Sequence, residues 1–432
     1  MAHASTIAPP THDNPKVIWS WAMYDWANSA FTTLVVTFIY STYYGKFFWP
    51  TEEIGTNWWA RAVALSSILT ALLSPIVGAM ADRGGTRKLF MAIALAVCGG
   101  ATAVLAFVSP AMANGAFIAL AVFVVADIAY ETGNVFYNAF LTNIASPPRI
   151  GRVSGYGWAL GYVGGIVCMG IALVGFVTDV PWFGMSTVDE WNVRATNLLV
   201  AGWFVLFALP MFFFVPERRT HAPRISVKAT FAQLGETSRK IRRYGELVKF
   251  LVARLFFNDG LVTVFSFGGI YAQAVFGMEM DEVILLGLVL NITSGIGAFL
   301  FGFVDDRLGG KTTIQITIVG LILATMMAVW APTEFWFWVA GCLVGIFVGP
   351  NQSASRSLMG RFVPAKHESE FFGFFAFSGK ATAFAGPLLL GALTKAYSHR
   401  VGMASVILFF VIGGVLLMSV DEAKGMAAAK EA

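Results

Sequence analysis

Apolar segments long enough to cross a bilayer recur along the chain, separated by short polar clusters. They fall at roughly 20–47, 58–81, 89–109, 115–144, 153–178 and 195–215, then at roughly 248–276, 282–304, 313–332, 335–363, 370–396 and 401–420. A helix crosses a hydrocarbon core with roughly 20 residues. In lipid a helix satisfies its own backbone, and barrel strands would alternate in polarity, which these runs do not. The pattern predicts an all-α integral membrane protein of twelve transmembrane helices in two pseudo-symmetric six-helix bundles. Residues 1–215 form the first bundle, 216–247 a basic cytoplasmic central loop, and 248–432 the second bundle.

Composition sharpens this picture. Hydrophobic residues make up 57% of the 432 positions and charged residues 12%, with 39 Phe and 13 Trp. A soluble globular protein carries about 25% charged residues. So much apolar material has to face lipid, which excludes a soluble enzyme, a nucleic-acid-binding domain and a single-anchor protein. Cys98, Cys168 and Cys342 lie far apart in apolar segments and form no metal or disulfide pattern. The polar first 16 residues lack the apolar core of a removable signal peptide.

Charge sets the orientation. An even number of spans puts both termini on one side. Most of the 29 Lys and Arg residues fall on that side or in its loops, whereas Lys46, Arg61, Arg194, Lys395 and Arg400 fall opposite. The positive-inside rule makes the basic side cytoplasmic. Compact loops fit a bacterial inner membrane, and no feature calls for more than a monomer. In the central loop, Val227, Phe231, Leu234, Ile241 and Val248 share a helical face beside Arg239, Lys240, Arg242 and Arg243. That face fits a basic helix on the anionic leaflet, and equally a solvated linker.

An internal repeat supports duplication. Gly78, Asp82, Arg83 and Arg87 follow the second span as Gly302, Asp306, Arg307 and Lys311 follow the eighth, both fitting G-x-x-x-D-R-x-G-x-[RK]. Asn134 and Pro147 are spaced like Asn351 and Pro364, and Asp25 echoes Asp259. Duplicated six-helix halves fit a transporter with its substrate between them near mid-membrane. The paired Asp-Arg-Gly loops are expected to form a conformational latch on the inner face. Gly309-Gly310-Lys311-Thr312 resembles a phosphate loop, but Asp305 replaces the required glycine and no strand precedes it.

Seven ionisable groups lie inside predicted helices: Asp25, Asp127, Glu131, Asp259, Arg254, Arg356 and Lys380. Each costs ~2.5–3.5 kcal/mol at a helix centre, so each marks a substrate or proton pathway by default. Asp127 and Glu131 share one face of the fourth span with Asn134 and Asn138, near Tyr137. Two carboxyls a turn apart disfavour double ionisation, so one of them is expected to hold a proton. Structural readings stand beside these. Asp25 fits a helix-start cap, Arg254 and Arg356 fit snorkelling, Asp259 and Asn258 fit a network with Arg254, and Lys380 fits a structural partner. Trp19, Trp21, Tyr24 and Trp26 fit an interfacial belt.

The two halves with their Asp-Arg-Gly loops resemble the major facilitator superfamily. More closely, Tyr24-Asp25-Trp26-Ala27-Asn28-Ser29-Ala30 resembles the first-helix signature of the autophagy-related vacuolar amino-acid effluxers and their bacterial relatives. So do Val135 to Leu141, Ser154 to Tyr162, Phe257-Asn258-Asp259-Gly260, Ser355-Arg356-Ser357-Leu358, Glu370-Phe371-Phe372-Gly373 and Ser378-Gly379-Lys380. The resemblance implies an alternating-access permease and candidate cavity residues Asp25, Asn28, Tyr137, Asn138, Asp259, Arg356 and Lys380. The expected function is a proton-coupled secondary transporter of a small polar solute such as a neutral amino acid, with the proton as coupling ion and no other cofactor. The alternative keeps the fold and moves a lipid, cell-wall fragment, drug or organic anion. A membrane enzyme or sensor is the remote reading, since the five His residues form no catalytic or metal pattern.

Overall fold

The computed structural model describes residues 12–84, 86–217, 235 and 244–431. The described residues are helical with connecting turns, and none forms a strand. The first span is compound: α1 (Pro15–Ala30), a π-helical stretch (Phe31–Phe38) and α2 (Tyr40–Phe47). Asn14 caps α1 by accepting from Lys16 N, and Pro15 occupies the first turn, where no amide partner is needed. The first bundle continues with α3 (Glu52–Gly84), α4 (Arg87–Leu105), α5 (Gly115–Ala139), α6 (Leu141–Ile144), α7 (Ile150–Gly175) and α8 (Trp191–Phe214). The second contains α9 (Gly245–Phe276), α10 (Met280–Leu308), α11 (Gly310–Trp330), α12 (Glu334–Phe362), α13 (Glu368–Lys380), α14 (Ala385–Ala396), α15 (His399–Met418) and α16 (Glu422–Lys430).

Eleven helical segments among the described residues are long and apolar enough to cross a membrane, α5 with α6 and α13 with α14 each counting once. The compound first span completes twelve. Two spans differ from the uninterrupted helices expected. In the first, Ser29 Oγ donates to Asp25 O and Thr32 Oγ1 to Ser29 O, so hydroxyls compete for the carbonyls that backbone amides would use. In the eleventh, Pro387 lacks an amide and its ring crowds the preceding turn, and the helix breaks between Lys380 and Ala385. The basic face expected between Val227 and Arg243 lies outside the described residues.

Leu72, Phe213, Leu388 and Val415 are exposed on the outer surface, as lipid contact requires. Lipid is as apolar as a side chain, so helices gain most by approaching closely through small residues. Two crossings join the bundles this way: α3 against α13, and α10 against α7. A Cβ on Gly78 would strike Ser369 O, and one on Gly373 would strike Ser74 O. At the other crossing, a Cβ on Gly302 would stand 2.8 Å from Arg152 Cα, and one on Gly155 2.5 Å from Ala298 O.

Candidate functional site

A polar cavity of about 350 Å³ lies between the bundles. Asp25, Asn28, Glu131, Asn134, Asn138, Arg254, Asn258, Arg356 and Lys380, all singled out in the sequence, line it. Thr32, Thr33, Tyr162 and Asn291 also border a second chamber of about 510 Å³, mostly apolar. That chamber reaches Gln273, Val283 and Phe337, near the helix ends remote from the Asp-Arg-Gly loops.

Two ion pairs cross the cavity. Arg356 on α12 donates through Nη1 to Asp25 Oδ2 of α1 at 2.9 Å and to Asn138 Oδ1 of α5 at 3.2 Å. Its Nε and Nη2 donate to Ser154 Oγ and O of α7, at 2.9 and 2.6 Å. The guanidinium also lies 4.9 Å from the Trp21 ring centre. Such a planar fork spreads its donors over three nitrogens and spans acceptors that an ammonium, with its donors on one atom, does not reach together. The second pair is Lys380 Nζ to Glu131 Oε1 at 2.7 Å, between the end of α13 and α5. Lys380 stands in the last turn of α13, where the helix dipole favours a cation. Beside these, Asn28 Nδ2 donates to Asn134 Oδ1 at 2.8 Å.

Arg254 differs from the other two cations. Its Nη1 donates to Phe375 O at 2.8 Å and to Ser378 Oγ at 2.9 Å, both neutral acceptors. The guanidinium lies over the Phe375 ring at 3.7 Å, and its buried Nε has no partner among the described residues. The lining thus holds three cations and two carboxylates, and among the described residues Arg254 forms no ion pair with a carboxylate.

The Asp-Arg-Gly loops close the other end. Asp82 accepts from Ser369 N at 3.0 Å and Glu370 N at 2.8 Å, in the first turn of α13. Arg87 pairs with Asp82 at 2.8 Å and also with Glu368, whose carboxylate accepts from Thr142 and Asn143 of the first bundle. Asp306 accepts from Gly151 N at 2.9 Å and Arg152 N at 3.2 Å, in the first turn of α7, and pairs with the Arg152 side chain. Each aspartate therefore caps a helix of the opposite bundle at its positive end. The other loop residues do less. Arg307 is exposed, and Lys311 Nζ donates to Met418 O within its own bundle. The Arg83 side chain lies outside the described residues.

Residues 59–430 match the family described as vacuole effluxer Atg22-like. The chain belongs to that family. It is 31% identical over 417 residues to the MFS-type transporter YxiO of Bacillus subtilis, covering 93% of this chain and 94% of the relative. It is 22% identical over 302 residues to autophagy-related protein 22-1 of Penicillium rubens, covering 63% of this chain. It spans only about half of that fungal relative's length, 50%. The fold matches the human organic anion transporter MFSD10 with a TM-score of 0.70 at 15% identity, covering 94% of this chain and all of that one. It matches the proton:xylose symporter XylE with a TM-score of 0.75 at 11% identity, covering 95% and 96%. The chain is a multi-pass major facilitator transporter, not an enzyme.

Three of the residues singled out in this Atg22-like transporter do not line the cavity. Asp127 turns to α3, where Ser66 Oγ lies 2.6 Å from its Oδ2. Glu131 faces Lys380 instead, so the two carboxyls do not meet in a hydrogen bond among the described residues. Tyr137 donates its hydroxyl to Asp25 Oδ2 at 2.8 Å from behind the lining. Asp259 accepts from Gly386 N at 3.0 Å on α14. No ion pair joins it to Arg254 among the described residues, because positions five apart on a helix point about 140° apart. The expected aromatic belt also divides. Trp21 and Tyr24 are fully buried, and both stack on Tyr137, while Trp19 is exposed. Glu368, Thr142 and Asn143 had no signal in the sequence, and Ser154 stood there only within the Ser154–Tyr162 motif, since polar side chains on separate helices acquire partners only on packing. Asp305, buried against Arg361 at 2.6 Å, was hidden beside the motif aspartate it precedes.

Proposed function

We propose that the protein is a proton-coupled secondary transporter that moves a small carboxylate-bearing zwitterion, a neutral amino acid, by alternating access. Arg254 carries the reading. It is a cavity cation that forms no ion pair with a carboxylate among the described residues, placed near the Glu131–Lys380 pair. A solute carboxylate meets Arg254 or Lys380, while its ammonium meets Glu131 or Asp25. Charge-assisted hydrogen bonds of this kind contribute about 1.5–3 kcal/mol each. The two bundles, tied at Asp82 and Asp306 in this state, rock apart there to release the solute on the other side. The distribution of basic residues supports both termini being cytoplasmic, and the compact loops support a bacterial inner membrane. A monomer encloses the whole cavity.

The test is counterflow of radiolabelled neutral amino acids into vesicles containing the purified protein, followed by accumulation under an imposed pH gradient. Counterflow with accumulation supports the reading. Counterflow that ignores the pH gradient would remove the proton from it. The charge excess also favours a second reading, an organic anion without an ammonium group. Competition by simple carboxylates, but not by amino acids, would select it.

A further inference from the structure

The break in the eleventh span is held by one short stretch of α9. Arg254 Nη1 donates to Phe375 O and Asn258 Nδ2 to Gly379 O at 2.9 Å, both on α13 before the break. Thr382 Oγ1, inside the break, donates to Leu255 O at 2.9 Å. Gly386 N, after the break, donates to Asp259 Oδ2 at 3.0 Å. Four nearly consecutive residues of α9 thus grip both half-helices. The half before the break ends in Lys380, which forms the tie to Glu131 across the bundles.

Asp259 is 1% exposed, and its Oδ1 is buried without a partner among the described residues. The surrounding cations are engaged elsewhere. On α9 itself, Arg254 holds Phe375 and Ser378. On α13, Lys380 holds Glu131. On α15, Arg400 donates to Ala331 O, with His399 next to it at the helix start. Lys395 lies in the last turn of α14. The ionisable groups of α10, α12 and α16 lie toward the helix ends or are paired elsewhere, Arg356 with Asp25 and Asp305 with Arg361. A buried carboxylate oxygen with neither donor nor cation is costly as an anion. Protonation on Oδ1 removes the charge, so the buried group needs no cation, and Oδ2 keeps the amide of Gly386.

We infer that Asp259 carries the coupling proton, bound on Oδ1 in this state and released to water when the clamp on the broken helix loosens. This rests on the proposed proton-coupled transport and assigns its proton to one residue. Asn258 and Val262, on either side of Asp259 along α9, line the cavity, so a small shift of α9 against α14 opens Oδ1 to it. The O–H bond of the acid breaks, the proton goes to cavity water, and the pair left on Oδ1 is hydrated. The same shift moves Lys380 relative to Glu131, which links proton release to separation of the bundles.

Asp259→Asn tests this, because it keeps an acceptor for Gly386 N and cannot titrate. Radiolabelled alanine is the probe in vesicles. Counterflow is expected to stay within about twofold of the parent protein, while accumulation driven by a pH gradient falls to equilibration. Infrared spectra of the lipid-embedded protein without substrate are expected to lose one protonated-carboxyl band in the variant. An unchanged infrared spectrum, pH-driven accumulation by the variant, or parent accumulation that follows sodium would each overturn the assignment. Absence of alanine counterflow by the parent would count against the transport reading, and the infrared band would still decide the proton. Should the asparagine variant fail to fold, Asp259→Glu keeps a titratable group on a longer arm. It is expected to retain accumulation with a displaced pH midpoint, and an unmoved midpoint would overturn the assignment.

Discussion

Asp82 and Asp306 hold equivalent places on opposite bundles, each capping the first turn of a helix in the other half. Each lies four residues after a glycine at which the crossing helices meet backbone to backbone. The repeat seen in the sequence is thus a pair of reciprocal clasps, α3 on α13 and α10 on α7.

Removing one clasp should loosen that end. Asp306→Ala deletes the acceptor for two amides and the partner of Arg152. A lost cap costs ~0.5–2 kcal/mol. The population open at this face should rise by roughly the factor of 5–30 that one or two kcal/mol represents. Spin labels at Arg149 and Arg307, both exposed and flanking this crossing, should report a longer distance.

Closure at this crossing also depends on its glycine. In Gly302→Val, a side chain would meet Arg152 Cα, which cannot rotate away. Transport is expected to stop while the protein still folds in its other state. The label distance should remain long at every substrate concentration, and a short distance with normal transport would contradict this.

Arg356 should not tolerate lysine. Its fork serves Asp25, Asn138 and Ser154 together, and an ammonium reaches only part of that set. Arg356→Lys is expected to lower transport at least about tenfold, the effect of ~1.4 kcal/mol. Initial rates of counterflow check this. Exchanging the charges in an Asp25→Arg, Arg356→Asp pair should give no rescue, because the Ser154 carbonyl accepts only from a donor.

The Glu131–Lys380 tie should show opposite behaviour in single and double variants. Breaking a buried pair costs about 3–5 kcal/mol, and less for these partly exposed groups, because one charge remains without its partner. Glu131→Gln and Lys380→Met should each lower the melting temperature. The double variant should recover most of it while losing transport. Thermal unfolding in detergent reads the first effect, and counterflow the second.

Substrate recognition is expected to fail at Arg254 in a particular way. Arg254→Met keeps bulk over Phe375 and removes the charge. A lost charge-assisted hydrogen bond of about 1.5–3 kcal/mol corresponds to roughly 10- to 150-fold weaker binding. KM for counterflow should rise within that range, and inhibition by amines without a carboxylate should not change.

Much of the fold was legible because lipid imposes a strong rule. Twenty apolar residues with no outside partner for the backbone must form a helix, so spans could be read from hydropathy alone. The clasps were legible because duplication printed them twice. The cavity was partly legible, since charges such as Arg356 and Glu131 are too costly in lipid to be accidental. The rest depended on which way a side chain turns after packing. Asp127 and Glu131 share a helical face in the sequence, yet one faces Ser66 and the other Lys380. The break before Pro387 was not read from the sequence, where 370–396 stands as one span, and its meaning came only from Asp259 and Asn258 on a distant helix.

The clasps are alike in backbone geometry and unequal in charge. Asp82 is backed by Arg87, Glu368, Thr142 and Asn143, whereas Asp306 is backed by Arg152, which is one-third exposed. Exposed pairs are weakened by salt more than buried ones. Unzipping should therefore begin at α10 and α7 and finish at α3 and α13, and rising ionic strength should advance the first step more than the second. A device that repeats by descent is lopsided in its timing, which gives the two halves different parts in one cycle.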